Sequence, residues 1–129
     1  MADANRANRP LSPFMIGPYY RPQLTSMTSI FIRITGNALL IGAFLVVWWF
    51  LAAASGPEHF TFVNAVITSW FGDLVMFGSL WALWYHALGG LRHLIFDAGY
   101  GLELKQAELM GWGMILGSVL LTLLTVVVI

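Results

Sequence analysis

The fold class this sequence predicts is all-α: an integral membrane bundle of three transmembrane helices behind an irregular N-terminal arm. Three observations predict it. The 129 residues are 59% hydrophobic and only 9% charged, far from the roughly one-quarter charged residues of soluble domains. Charge-free stretches long enough to span a bilayer stand at residues 34–54 and 110–129, with a longer apolar run between them. The prolines are gathered ahead of the first stretch, which divides the chain into an arm over 1–28 and a membrane domain over 29–129.

Residues 1–28 carry four of the five prolines and three arginines, in segments such as R-P-L-S-P and P-Y-Y-R-P that break helices. Tyr19 and Tyr20 beside Arg21 suit a lipid headgroup layer. From Ile34 to Ala54 no residue is charged, and at ~1.5 Å per residue that run covers the ~30 Å of a hydrocarbon core. Ser55 to His59 then reads as a short reversing connection. The second apolar run, Phe62 to Phe96, is broken only by Asp73 and a polar set near its end. It exceeds one bilayer thickness, so it projects beyond the hydrocarbon or tilts. Asp97-Ala-Gly-Tyr-Gly101 supplies a glycine turn, and Glu103, Lys105 and Glu108 mark a wet connection before the third span, Met110 to Ile129.

Formal net charge is zero, which points to no nucleic acid or polyanionic partner. With no cysteine, the chain offers no disulfide, no iron–sulfur ligand, no thioether haem link and no thiol nucleophile. It also lacks a nucleotide-binding glycine fingerprint. Met1 to Pro10 shows neither the apolar core of a secretory signal nor a transit-peptide composition. The expectation is a retained N-terminus and a bacterial inner (plasma) membrane. Arg6, Arg9, Arg21 and Arg33 flank the first span, Arg92 and Lys105 flank the second turn, and the other loop has no Lys or Arg. The positive-inside rule puts the N-terminus in the cytoplasm and the C-terminus in the periplasm.

The chemistry concentrates in W-Y-H-A-L-G-G-L-R-H-L-I-F-D, Trp84 to Asp97. Ionisable groups within a membrane span are costly and are hypotheses about function. Placing Arg92 at the cytoplasmic boundary sets His86 roughly 9 Å deeper by helical rise. Two readings of His86 stand open: a histidine hydrogen-bonded to a neighbouring helix, or a metal ligand, for which haem iron is the commonest apolar cofactor between membrane helices. Gly89 and Gly90 serve either helix packing or a flat macrocycle. His93 lies about 10.5 Å further along the axis. Opposed ligands on one iron sit about 4 Å apart, so one straight helix cannot supply both. His59 is in the opposite loop; the second axial ligand of a six-coordinate haem therefore comes from another chain.

His93 is an interfacial polar residue or a haem-propionate or proton-transfer contact. Arg33 anchors the first span or holds an anion or polarised carbonyl. Ser29, one turn before it, is an N-cap or a donor to a ligand oxygen, and the pair fits a quinone head group. Asp97 either pairs with Arg92 at the helix end or, with Arg92, delivers protons from the cytoplasm. Asp73 is read as interfacial, and the aromatics as lipid-facing or packing residues.

At these residues the chain resembles the cytochrome b membrane anchor, the larger of two, of succinate:quinone oxidoreductase (succinate dehydrogenase, respiratory complex II). R-P-L-S-P at Arg9 to Pro13, S-I-F-I-R-I-T-G at Ser29 to Gly36 and H-A-L-G-G-L-R-H-L-I-F-D at His86 to Asp97 carry the resemblance in order, across nearly the whole chain. The resemblance implies one b-type haem with His86 as axial ligand, and ubiquinone as substrate. It places Ser29, Ile30 and Arg33 in the quinone pocket, Arg33 near a haem propionate, and Arg92, His93 and Asp97 at the motif's polar end. Implied partners are a second small membrane anchor, an iron–sulfur subunit and a flavoprotein subunit, the last two holding the iron–sulfur clusters and FAD. Two positions depart from the family pattern. Ile32 stands where S-I-x-H-R has histidine, and Phe14 where a histidine often follows R-P-L-S-P. Rival readings are a haem-free structural anchor, and a small proton- or ion-conducting bundle built on His86, His93 and Asp97.

Overall fold

A computed structural model describes residues 20–129. The R-P-L-S-P motif, Arg6, Arg9, Phe14 and Tyr19 lie outside the described residues. Four α-helices follow one another: α1 Leu24–Ser55, α2 Pro57–Ile67, α3 Trp70–Asp97 and α4 Leu104–Val128. Three of them, α1, α3 and α4, are long and apolar enough to cross a membrane, so the all-α, three-span architecture holds. The 11 residues of α2 are too few.

The first span starts earlier than its charge-free run. Ser26 Oγ accepts from the Gln23 backbone N–H at 3.3 Å and donates to the Gln23 carbonyl at 2.8 Å, which fixes the helix entry. The last five residues assigned to the arm, Leu24 to Thr28, are therefore helical. With 32 residues, α1 is roughly 48 Å long by helical rise and overshoots the hydrocarbon core.

The second apolar run is not one helix. Thr68 Oγ1 donates to the Asn64 carbonyl at 2.8 Å and Ser69 Oγ to the Val66 carbonyl at 2.7 Å, so side-chain hydroxyls end α2. Ser69 then caps α3 by accepting from the Gly72 N–H at 3.2 Å. A Cβ at Gly72 would collide with the Ile67 carbonyl, so only glycine lets the two helices abut so tightly. Asp73 is exposed in the first turn of α3, where the helix dipole favours a carboxylate. The stretch read as a reversing connection accordingly holds the start of α2. The turn after α3 forms at the expected glycines, with Gly99 and Gly101 at φ 82 and 71.

α3 packs against both α1 and α4, and α1 also touches α4. The buried centre is small: Ile32, Tyr85 and Met114, joined by Trp81, Leu88 and Ile115. Buried Thr35, Ser118 and Thr122 return their hydroxyls to carbonyls three or four residues back at 2.7–3.0 Å, whereas the buried Trp81 indole N–H has no partner among the described residues. Large apolar side chains such as Phe44, Leu51 and Leu120 face outward, as they do where lipid or another membrane chain is the solvent.

Candidate functional site

His86 stands in the middle of α3, half-buried against α1. Its Nδ1 lies 3.0 Å from the carbonyl oxygen of Ile32. A carbonyl only accepts, so Nδ1 carries the proton, and the lone pair of a neutral imidazole falls on Nε2. The approach depends on Gly36, because a Cβ there would sit 3.0 Å from His86 Cε1 and 3.4 Å from Nδ1. The Ile32 carbonyl is itself held by Thr35 Oγ1, donating at 3.0 Å. The ring is thus fixed in tautomer and tilt by the main chain of α1, the arrangement typical of metal-bound histidines. Both readings of His86 from its residue type meet here: it is hydrogen-bonded to a neighbouring helix, and that bond leaves the other nitrogen as a ligand atom.

Among the described residues no group of three His, Cys, Asp or Glu converges on a metal ion. His93 is exposed, with its ring edge-on to Phe96 at 6.4 Å between centroids. The donor set is one imidazole. One imidazole among the described residues does not by itself complete a metal's coordination.

Ser29 and Arg33 lie one turn apart on α1, with Ser29 half-buried and Arg33 exposed. The N-cap of α1 is Gln23, six residues before Ser29, so Ser29 does not cap the helix. Among the described residues neither side chain makes a hydrogen bond. Ser29, Arg33 and Gly36 follow the i, i+4, i+7 spacing of one helical stripe, and Gly36 is the residue against which His86 rests. The ligand atom and the two polar groups therefore share one side of α1. Ile30 is 48% exposed beside them. Ile32, one turn before Gly36, also faces α3: a Cβ on Gly89 would fall 2.7 Å from its Cγ1. The departure at this position thus lies in the interhelical core, where Ile32 packs with Tyr85 and Met114.

Arg92 differs from its expected placement. It does not snorkel to the boundary or pair with Asp97; it turns inward and is only 5% exposed. Nη1 donates to Thr28 Oγ1 and Nη2 to the Ala107 carbonyl, each at 3.2 Å, bridging α1, α3 and α4. The reason is rotational. Arg92 shares the inward face of α3 with Gly89 and Tyr85, at i−3 and i−7, whereas Asp97 five residues on falls on an exposed face. Tyr85 joins the cluster by donating its hydroxyl to the Thr28 carbonyl at 3.4 Å.

Sequence reasoning did not single out Gly36, Thr28 or Tyr85. The contribution of Gly36 is an absent side chain and that of Ile32 a carbonyl, neither of which has a residue-type signature. At the far end of the bundle, a cleft of about 320 Å³ lined by Leu45, Trp49, Asn64, Ile67 and Met76 is apolar and holds none of these groups.

Comparison with known proteins agrees with the geometry. Residues 5–125 match the succinate dehydrogenase/fumarate reductase transmembrane subunit family. The chain is 52% identical over 128 residues to the succinate dehydrogenase cytochrome b556 subunit of Paracoccus denitrificans, covering 99% of this chain and 97% of that protein. It is 34% identical to the cytochrome b556 subunit of Rickettsia conorii, covering 90% and 89%, and 35% identical to the cytochrome b560 subunit of Marchantia polymorpha, covering 95% and 91%. Three apolar spans, a fixed imidazole on the central one and a match along almost the whole length lead to one conclusion: the chain belongs to the succinate dehydrogenase/fumarate reductase transmembrane subunit family.

Proposed function

We propose that this chain is the cytochrome b membrane anchor of a succinate:quinone oxidoreductase, with His86 as one axial ligand of haem b through Nε2. The observation that carries the proposal is the hydrogen bond from Nδ1 to the Ile32 carbonyl over Gly36. It presents a preoriented lone pair, and the described residues offer no second ligand near it. The opposite ligand comes from a second small anchor subunit. A bound haem supplies a one-electron relay. The residues of this chain fix the imidazole's orientation and keep the α1–α3 interface closed at Ile32.

Ser29 and Arg33 donate hydrogen bonds to the carbonyl oxygens of ubiquinone, and Ile30 lines its slot. Their lack of partners among the described residues supports this use. Arg33 also faces a haem propionate, and His93 is a second propionate or proton-handling contact. Asp97, exposed at the end of α3, delivers protons from the cytoplasm. Arg92, only 5% exposed, is the less accessible of the two candidates for that task. Electrons come from the clusters of the iron–sulfur subunit, which takes them from the FAD of the flavoprotein subunit. Both sit on the cytoplasmic face of a bacterial inner membrane, with the N-terminus of this chain on the same side and its C-terminus periplasmic. The ion-conducting reading finds less support, since His86 faces α1 while His93 and Asp97 are exposed and do not converge with it.

The test is a reduced-minus-oxidised spectrum of the complex purified in mild detergent. A b-type band is expected, and His86→Ala abolishes it while the four subunits still co-purify. A band that survives His86→Ala overturns the assignment.

A further inference from the structure

Arg92 is the one charged side chain among the described residues that is buried. Its guanidinium has two hydrogen bonds, to Thr28 Oγ1 and the Ala107 carbonyl, and the Phe96 ring lies 4.8 Å from Cζ. Nε is buried without a partner. No carboxylate among the described residues pairs with it, and the nearest in sequence, Asp97, is exposed on another face. A hydroxyl, a carbonyl and a π face stabilise the ion through dipoles and a quadrupole, but they do not cancel its charge. A guanidinium stays protonated in proteins. A net cation thus sits enclosed by this chain's own helices, where its field is weakly screened by solvent and salt.

Its position gives that field a target. Arg92 follows His86 by six residues on α3, about 9 Å along the axis by helical rise. Its partner Thr28 immediately precedes Ser29. The cation therefore stands close to the two places where, in the function proposed above, an electron arrives. We propose that Arg92 is an electrostatic tuning residue: its buried, uncancelled charge raises the reduction potential at the His86 site and so favours electron entry from the iron–sulfur partner. With a haem held at His86, the gain of one electron would lower the charge of the site by one, and a nearby fixed cation would favour that change through Coulomb attraction. Arg92 touches neither ligand nor substrate and acts through space.

This inference rests on His86 as the haem ligand, and its test separates the two. The complete complex carrying Arg92→Lys, Arg92→Gln or Arg92→Met is titrated against redox mediators, with the b-type band as readout. Arg92→Lys, which keeps the charge, is expected to retain the wild-type midpoint. Arg92→Gln and Arg92→Met are expected to shift it downward by similar amounts, although Gln keeps hydrogen-bonding capacity and Met does not. If the neutral variants keep the wild-type midpoint, or Lys falls together with them, the tuning role is overturned, since a packing or hydrogen-bonding role does not sort variants by charge. Where the neutral variants fail to assemble, Thr28→Asp places a counter-charge beside an intact guanidinium. The same downward shift is expected, and an unchanged midpoint overturns the proposal. A band surviving His86→Ala overturns the ligand assignment, whereas a band lost there but insensitive to charge at residue 92 overturns only the role of Arg92.

Discussion

At the end of the bundle where α1 begins and α3 turns into α4, two interhelical donors are an imidazole and a guanidinium, beside the Tyr85 hydroxyl. His86 donates to the Ile32 carbonyl at 3.0 Å, and Arg92 to Thr28 and the Ala107 carbonyl at 3.2 Å. Elsewhere the donors are neutral indoles: Trp49 to Asn64 at 3.2 Å at the opposite end, and Trp84, two residues before His86, to Thr125 at 3.0 Å. Hydrogen bonds between membrane helices are worth only about 0.6 kcal/mol on average, so energy alone does not explain the contrast. What differs is what each bond fixes. The Trp49 bond joins helices beside an apolar cleft, whereas the other set fixes the rotation of an imidazole and the site of a charge. One end is built for cohesion and the other for orientation.

The sharpest way to break that contrast is at Gly36. Gly36→Leu puts a side chain where the His86 ring lies. The expected outcome is loss of most of the b-type band with the helices still inserted, checked by haem content per mole of complex. At the other end, a large side chain at Gly78, whose Cβ would meet nothing within 4 Å in this chain, is expected to leave haem content unchanged.

A smaller effect is expected on the stripe beside the ring. Losing a hydrogen bond to a polar ligand from a charged donor costs about 1.5–3 kcal/mol. Arg33→Gln is therefore expected to lower kcat/KM for ubiquinone by roughly ten- to a hundredfold, and Ser29→Ala by less. Steady-state quinone reduction with constant haem content checks both. An unchanged rate in both variants removes Ser29 and Arg33 from the quinone site.

The smallest effect belongs to the cohesive end. Asn64→Leu removes the acceptor of Trp49 and is expected to cost about 0.6 kcal/mol of stability, seen as a slight fall in melting temperature with spectrum and quinone kinetics unchanged. A change in either of those would mean that the two ends are mechanically coupled.

The spans were legible because a hydrocarbon core demands long charge-free runs, and 34–54 and 110–129 satisfy that demand in any conformation of their ends. His86 was legible because an imidazole within a span needs a partner. The break at Thr68 and Ser69 was not, since both are common inside membrane helices, and only their hydroxyls turning onto the Asn64 and Val66 carbonyls reveal a stop. Ser29 read equally well as a cap until Gln23 proved to hold that position. Arg92 was misplaced because depth along a helix is readable from sequence, whereas rotation becomes decisive only once the neighbours are known. A guanidinium near a membrane boundary turns outward unless it finds acceptors within, and Thr28 and Ala107 are 64 and 15 residues away.

The acceptor that fixes the His86 ring is a main-chain oxygen, and this bears on which substitutions the chain tolerates. A carbonyl belongs to its position whatever side chain is attached, so residue 32 can change identity while the imidazole keeps its tautomer and tilt. Its side chain packs instead against Gly89 and Met114. Isoleucine where the resemblance leads one to expect histidine thus alters side-chain packing while the carbonyl that holds the ring stays in place.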